Sequence, residues 1–295
     1  MKFIFFGTPE FASIILEKLI DAGYIPQAVI CNPDRPVGRK KIITPPATKL
    51  LAQKYNIPVL QPEVLSNSKF KIQNSKFDFF IVAAYAKIIP KEILEIPRLG
   101  TIGVHPSLLP KYRGPSPIQA AILNGDEETG VTLYLMDEGL DSGPILATSR
   151  LPIATNETYK SLHDKLAEFG ADLLIETLPK FVAGEITPLP QNETEATYTK
   201  KFKTEDGYIE SKDLEIAQNG SASSPQVALE IERKIRALNP EPGVYTFIDG
   251  KRTKLLEARL IEGKLRRPSG VGAPTYASVL KITQIQIEGK KATKI

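Results

Sequence analysis

The feature that most constrains the fold is a rhythm. Short, wholly apolar runs recur, each closing on a small or polar residue and each followed by a helical pattern. "KFIFFG" (Lys2–Gly7), "IPQAVIC" (Ile25–Cys31), "DFFIVAAY" (Asp78–Tyr85) and "GTIGVH" (Gly100–His105) are such runs. Strands buried on both faces read this way, with no alternation of polar and apolar positions. Between the first two, "EFASIILEKLIDAG" places Phe11, Ile14, Ile15 and Leu19 on one helical face, with Gly23 positioned as a C-cap. A second helix starts after Pro90. Alternating strands and helices predict an α/β fold, a doubly wound (Rossmann-like) parallel sheet. Ligands on such sheets lie at the carboxyl ends of the strands, and His105 stands at one of those ends.

The remainder changes character. "VTLYLMDEGLDSGPILATSRLPI" (Val131–Ile153) reads as strand, turn, strand, and an amphipathic helix follows from about Thr158 to Val182. The polar, proline-containing stretch from Ala183 to Gly207 has no period and reads as an exit loop and linker. A helix around Ala228–Leu238 comes next, then short strand candidates at Val244–Ile248, Lys254–Ile261 and Ala277–Ile287. Short strands punctuated by Gly and Pro predict a small antiparallel barrel of the OB type. The expected boundaries are residues 1–188 for the first domain, 189–206 for the linker and 207–295 for the second, in keeping with about 150 residues per domain. The loop Ala217–Pro225 is expected to be a small-residue connection.

Two histidines and a lone Cys31 leave no disulfide framework and no Cys- or His-rich zinc site. The opening apolar run is too short for a signal-peptide core or a membrane span. A cytoplasmic, metal-free protein is expected. The net charge of +4 is unevenly spread: residues 251–295 carry 11 Lys and Arg against 3 Asp and Glu, so the first 250 are acidic overall. A basic C-terminal segment suits a polyanion such as tRNA, and equally an ordinary lysine-rich surface.

Three segments carry chemistry. His105 is followed by Pro106 and Pro110, which stiffen the backbone, and is read either as a packed strand-end histidine or as an acid/base group. "MDEGLDSGP" (Met136–Pro144) offers Asp137, Glu138 and Asp141 in a glycine-flanked reversal. It is either a solvated acidic turn or the source of a carboxylate that orients His105 and stabilises its cation. "CNPDRPVGRKKIITPPATK" (Cys31–Lys49) sets five basic residues against one acidic, with four prolines, and is either a charged loop or an arm for a phosphate backbone. "FFGTPEF" lacks the spacing of a dinucleotide fingerprint, and His163 is expected to be structural.

Taken together, "FFGTPEFA", "NPDRPVGRKK", "VAAYAKIIPKEIL", "HPSLLPKYRGPSPIQAAILNGDEETGVTLYLMDEGLDSGPIL", "TYTKKFKTEDGYI" and "IRALNPEPGVYT" resemble the methionyl-tRNA formyltransferase family across nearly the whole chain. The resemblance implies formyl transfer from 10-formyltetrahydrofolate to the amine of initiator methionyl-tRNA by a monomer. It implies His105 and Asp141 as the catalytic pair at an oxyanion-forming step, with Asp137 a turn-builder. Ser107, Leu108, Leu109 and Pro110 match the folate loop, and Tyr85 to Ile89, Ile88 included, would line the pteridine pocket. Arg39, Lys40 and Lys41 match the arm at the tRNA acceptor end, and the basic C-terminal barrel would hold the rest of the tRNA.

One position departs. The family carries Asn two residues before the histidine, where this chain has Gly103. Loss of one oxyanion donor typically costs about 10²–10³ in rate. Three outcomes are open: a backbone N–H or a water substitutes, another side chain moves in, or the protein is slow. The expected outcome is an active enzyme with compensation, in which Gly103→Asn preserves or raises turnover. The alternatives are a formyltransferase acting on a sugar-nucleotide or ribonucleotide amine, and a non-catalytic tRNA- or folate-binding protein.

Overall fold

The computed structural model describes residues 1–38, 40–65, 76–219, 224–264 and 276–295. Two compact units result. One comprises Met1–Pro117, Glu128–Pro152 and Leu162–Thr199; the other comprises Ile118–Glu127, Ile153–Ser161 and Lys200–Ile295.

The first unit is built on a seven-stranded sheet. In chain order the elements are β1 (Phe3–Gly7), α1 (Glu10–Asp21), β2 (Ala28–Ile30), a hairpin of β3 (Arg35–Val37) and β4 (Ile42–Thr44), and α2 (Ala47–Lys54). Next come β5 (Val59–Leu60), β6 (Phe79–Ala83), α3 (Lys91–Leu94), β7 (Thr101–His105), α4 (Pro117–Asn124), β8 (Glu128–Leu135), β9 (Ile145–Pro152) and α5 (Tyr159–Val182), of which α4 from Ile118 and the first three residues of α5 are counted with the other unit. The strand order is β5-β2-β1-β6-β7-β8-β9. β5, β2, β1, β6 and β7 are parallel. The order reverses between β1 and β6, which opens a crevice at the carboxyl ends of those strands beside the end of β7.

The apolar runs behave as their composition requires. Every residue of β1, β6 and β7 is buried. α1 buries Phe11, Ala12, Ile15, Leu16, Leu19 and Ile20 as one stripe, with Ile14 at its margin. The chain leaves α1 through Gly23 at φ 85°, whose N–H donates to the Ile20 carbonyl. Gly7 is needed for a different reason: a Cβ there would stand 2.5 Å from Ala12 Cβ and 2.9 Å from the Ala83 carbonyl, so only glycine lets β1, α1 and β6 approach.

At the far edge the sheet is not parallel: β8 runs antiparallel to both β7 and β9. β8 and β9 are joined by the Met136–Pro144 turn, which a hairpin needs and a parallel crossover cannot use. From Ala147 to Pro152 the outer strand β9 alternates between more covered and exposed positions, as an edge strand with one wet face does.

The second unit holds an antiparallel sheet of β10 (Tyr245–Ile248), β11 (Lys251–Lys264), β12 (Tyr276–Ile287) and β13 (Thr293–Lys294), in that order. Two helices, α6 (Ser211–Asn219) and α7 (Ser224–Leu238), pack on it. Ala228, Ile231, Ile235 and Leu238 share one face of α7 and are buried, as are Leu255, Val279, Leu280 and Ile282 of the sheet. The expected loop at Ala217–Pro225 is shorter than its composition suggested. α6 runs through Asn219 and α7 begins at Ser224, while residues 220–223 lie outside the described residues.

Candidate active site

The register of β7 on β8 sets the geometry of the site. His105 pairs with Thr132, Gly103 with Tyr134 and Ile102 with Leu135. β8 therefore ends three residues below His105, about 10 Å along the strand. Asp141 reaches the histidine only because the 137–143 loop folds back along β7. Asp137 Oδ1 accepts from the Gly139 N–H at 3.0 Å and the Ser142 hydroxyl at 2.9 Å, which makes it the brace of the reversal. The Gln191 carboxamide donates to the carbonyls of Asp141 and Gly143, at 2.8 and 2.7 Å. Asp141 itself takes a left-handed backbone conformation, φ 52°, which Asp tolerates better than most residues.

The result is a carboxylate facing an imidazole across 3.5 Å, Asp141 Oδ2 to His105 Nδ1, with both side chains largely buried. That separation is an ion-pair distance, longer than a good hydrogen bond. The Asp141 carboxylate also accepts from the Gly114 N–H at 2.7 Å and from the Tyr134 hydroxyl at 2.6 Å. On the other side of the ring, His105 Nε2 lies 2.9 Å from the Tyr112 carbonyl. A carbonyl only accepts, so Nε2 carries a proton in this arrangement. The ring thus has one nitrogen on a neutral acceptor and the other toward a negative charge. The ring is thereby held between two fixed partners.

The loop after β7 is tied at several points. The Ser107 hydroxyl donates to the Lys111 carbonyl at 2.6 Å. Thr132 of β8 donates to the Ser107 carbonyl and accepts from the Leu109 N–H, at 2.7 and 3.1 Å. Residues 197–199 then run alongside as a strap. The Arg113 N–H donates to the Thr197 carbonyl and the Thr199 N–H to the Arg113 carbonyl, both at 2.8 Å. The Arg113 guanidinium, 1% exposed, forks onto Glu193 at 2.7 and 2.8 Å and onto Gln191. Bonding to Glu193 raises the Arg113 pKa and lowers that of Glu193.

The expected site residues are distributed unevenly. His105, Asp141 and Gly103 come together. Ser107 and Leu109 are buried while Leu108 and Pro110 are half-buried, with the Leu109–Pro110 bond cis. Tyr85 lies in the core, its ring edge-on to Phe6 at 5.5 Å and its hydroxyl without a hydrogen-bond partner; burial pushes its pKa up to about 12. Ile88, three residues on, is 93% exposed. Lys40 and Lys41 are exposed in the turn of the β3–β4 hairpin, while Arg39 lies outside the described residues. His163 is buried in α5 against Phe11.

The expectation that Asn would fit at position 103 is overturned. A Cβ at Gly103 would stand 2.6 Å from Cζ and 2.9 Å from the hydroxyl oxygen of Tyr134, and closer still to one ring carbon. The phenol already fills that space. Tyr134, Thr132, Gly114 and Arg113 were all missed by the sequence reading. Tyr134 could have been found from the antiparallel pairing of β7 and β8, which sets it opposite Gly103.

Among the described residues no helix is long and apolar enough to cross a membrane, and no three of His, Cys, Asp or Glu group as metal ligands. The family model "Formyl transferase" matches residues 1–178, and "Formyl transferase, C-terminal domain" matches residues 225–295. The methionyl-tRNA formyltransferase of Lactobacillus gasseri is 40% identical over 303 residues, covering 99% of this chain and 92% of that protein. That of Halorhodospira halophila is 41% identical over 282 residues, covering 95% and 87%. Among solved structures, the Helicobacter canadensis N-formyltransferase in complex with folinic acid and dTDP-3-aminofucose shares the fold, with TM-score 0.65, 20% identity and coverage of 97% of this chain and 95% of that one. The methionyl-tRNA formyltransferase from Clostridium thermocellum also aligns, with TM-score 0.55, 19% identity and coverage of 96% and 99%. With likeness at these levels along nearly its full length, the chain belongs to the methionyl-tRNA formyltransferase family.

Proposed function

We propose that this protein transfers a formyl group from 10-formyltetrahydrofolate to the amino group of initiator methionyl-tRNA, in the cytoplasm, as a monomer. The observation that carries the reading is the His105–Asp141 pair, buried at the carboxyl end of β7 beside the crevice where the sheet order reverses. The relatives named above supply the choice of substrate class. Residues 1–188 bind the formyl donor in this reading, 189–206 link, and 207–295 bind tRNA.

The donor supplies an electrophilic formyl carbon. The amine nitrogen bonds to that carbon, the bond from carbon to the folate nitrogen breaks, and the proton lost by the amine ends on the departing folate. His105 holds a proton at Nε2 that it can present to developing negative charge, and Asp141 stabilises the imidazole when it is cationic. The loop after β6 suits a reduced pterin. It combines the exposed Ile88 with a bond from the Asn32 carboxamide to the Tyr85 carbonyl, and the buried Asn32 Oδ1 has no partner of its own. The folate site in this reading comprises that loop and Ser107–Pro110. Lys40 and Lys41, with Arg39, supply the arm for the acceptor end. In the second unit, Arg252 stacks on Tyr245 at 3.8 Å next to the exposed Tyr208 and Phe247, a cationic and aromatic surface of the kind that binds nucleic acid.

The test is direct: incubate the purified chain with 10-formyltetrahydrofolate and charged initiator tRNA and measure formyl-methionyl-tRNA. Product above the rate without enzyme is expected. Formylation of a sugar-nucleotide amine in place of the tRNA would move the protein to the other formyltransferase class. Formylation of neither would leave a binding protein.

A further inference from the structure

We propose that Tyr134 is a positioning residue for formyl transfer: its hydroxyl clamps Asp141 against His105, and Gly103 is bare so that the phenol can lie across β7 to do so. This rests on the reading of His105 and Asp141 as the acid/base pair. Tyr134 and Gly103 are direct partners in the β7–β8 register, and the tyrosine ring lies where a Cβ on Gly103 would be. From there its hydroxyl donates to Asp141 Oδ1 at 2.6 Å.

The clamp matters because of how Asp141 is otherwise held. Oδ2, the oxygen that faces the imidazole, also accepts from the Gly114 N–H. With that bond alone the carboxylate would be tethered at one oxygen and free to rotate its plane away from the ring. The phenol takes the second oxygen, and two donors at two oxygens fix the plane. Tyr134 is 4% exposed, and burial, then the adjacent Asp141 charge, raises its pKa well above the ordinary value. Burial thus keeps the hydroxyl protonated, and it serves Asp141 as a donor. Nothing else in the register requires tyrosine: any apolar side chain would cover a bare glycine, but only the phenol adds a donor at this depth.

Space filling and positioning give different results in steady-state kinetics. Tyr134→Phe keeps the ring and removes the donor. It is expected to lower kcat by about 10–100-fold, the worth of one charge-assisted hydrogen bond, with the KM values for donor and tRNA little changed. In an Asp141→Asn background, where the acceptor's charge is gone, the same change should cost less than about 3-fold, because coupled residues are not additive. Near-parental kcat in Tyr134→Phe, with Asp141→Asn impaired, overturns the clamp and leaves the catalytic pair intact. Near-parental kcat in Asp141→Asn instead overturns the pair, and the clamp with it.

A second experiment does not depend on the phenylalanine variant folding well. Gly103→Ala is expected to lower both Tm and kcat by colliding with the ring, and adding Tyr134→Leu should restore Tm but not kcat. Full recovery of kcat along with Tm would mean that the phenol only fills space, and an unimpaired Gly103→Ala would mean that the glycine is not what admits it.

Discussion

Two loops at the carboxyl edge of the same sheet are built on opposite plans. The segment after β7 is bonded wherever it can be: Thr132 from β8, residues 197–199 alongside, and the Arg113 fork onto Glu193 and Gln191. The segment after β2 rises as the β3–β4 hairpin, with Val37, Ile42 and Ile43 more than half exposed and Lys40 and Lys41 in solvent. Its basal lysine, Lys49, is tied to Asp34 at 2.8 Å and holds the root of the arm, while the tip is left to solvent. A loop that must place an imidazole against a carboxylate needs its coordinates fixed before substrate arrives. One that must meet a large polyanion needs reach and charge, and can be ordered by its partner. In the proposed reading the first is the seat of chemistry and the second a contact surface for the tRNA.

The sharpest way to break that division is to remove one side chain from each. His105→Ala should lower kcat by about 10²–10⁴-fold, the usual contribution of a positioned acid/base group, with donor and tRNA KM values near those of the parent. Initial rates of formyl-methionyl-tRNA formation measure it. A loss that appeared in KM alone would place His105 in binding.

Lys40→Ala combined with Lys41→Ala should do the reverse. Loss of two phosphate contacts is expected to raise the tRNA KM about 10-fold and to reduce the slope of log affinity against log salt by about 1–2. Arg39→Ala should act in the same direction, and the KM for the folate should not move with either change. An equal rise in the folate KM would show the arm to be part of the donor pocket, and the division would collapse.

How much of this was readable from the chain follows the same contrast. Runs such as Phe3–Phe6 and Phe79–Ala83 announce buried strands because nothing polar interrupts them, so the parallel core was legible. The antiparallel edge was less so, since β8 is apolar enough to pass for a parallel strand and only the glycine-flanked turn after it hints at a hairpin. His105 and Asp141 were legible as chemistry-bearing residue types. Their meeting depends on a loop that folds back along β7 under the pull of Gln191, 50 residues away from Asp141, which no local pattern encodes. Gly103 illustrates the limit: read alone it is a missing donor, and read with its cross-strand partner it is the space that Tyr134 occupies. The strap was hidden for the same reason. Residues 189–199 are polar and aperiodic, so they read as a linker, yet their backbone groups are among those that hold the loop after β7.

That strap yields the smallest effect and the finest test of the comparison. Glu193 is exposed, but its carboxylate bonds the buried Arg113 guanidinium through both oxygens, and that bonding lowers its pKa from the ordinary 4.5. A carboxylate with a depressed folded-state pKa contributes stability that is complete above its unfolded value and is lost as pH falls through its folded value. Glu193→Gln removes this term, so thermal melts of the variant should lie slightly below the parent at neutral pH. The two curves should converge as the pH drops below about 4.5 and through the depressed folded-state value. The arm offers a control, because Lys40→Ala breaks no comparable bond and should leave the acid limb parallel to the parent. If Glu193→Gln also ran parallel to the parent over the whole range, the Arg113 fork would not be closed in solution. The tied loop would then owe its order to the backbone bonds of Thr197 and Thr199 and to its bonds with Thr132 and Asp141.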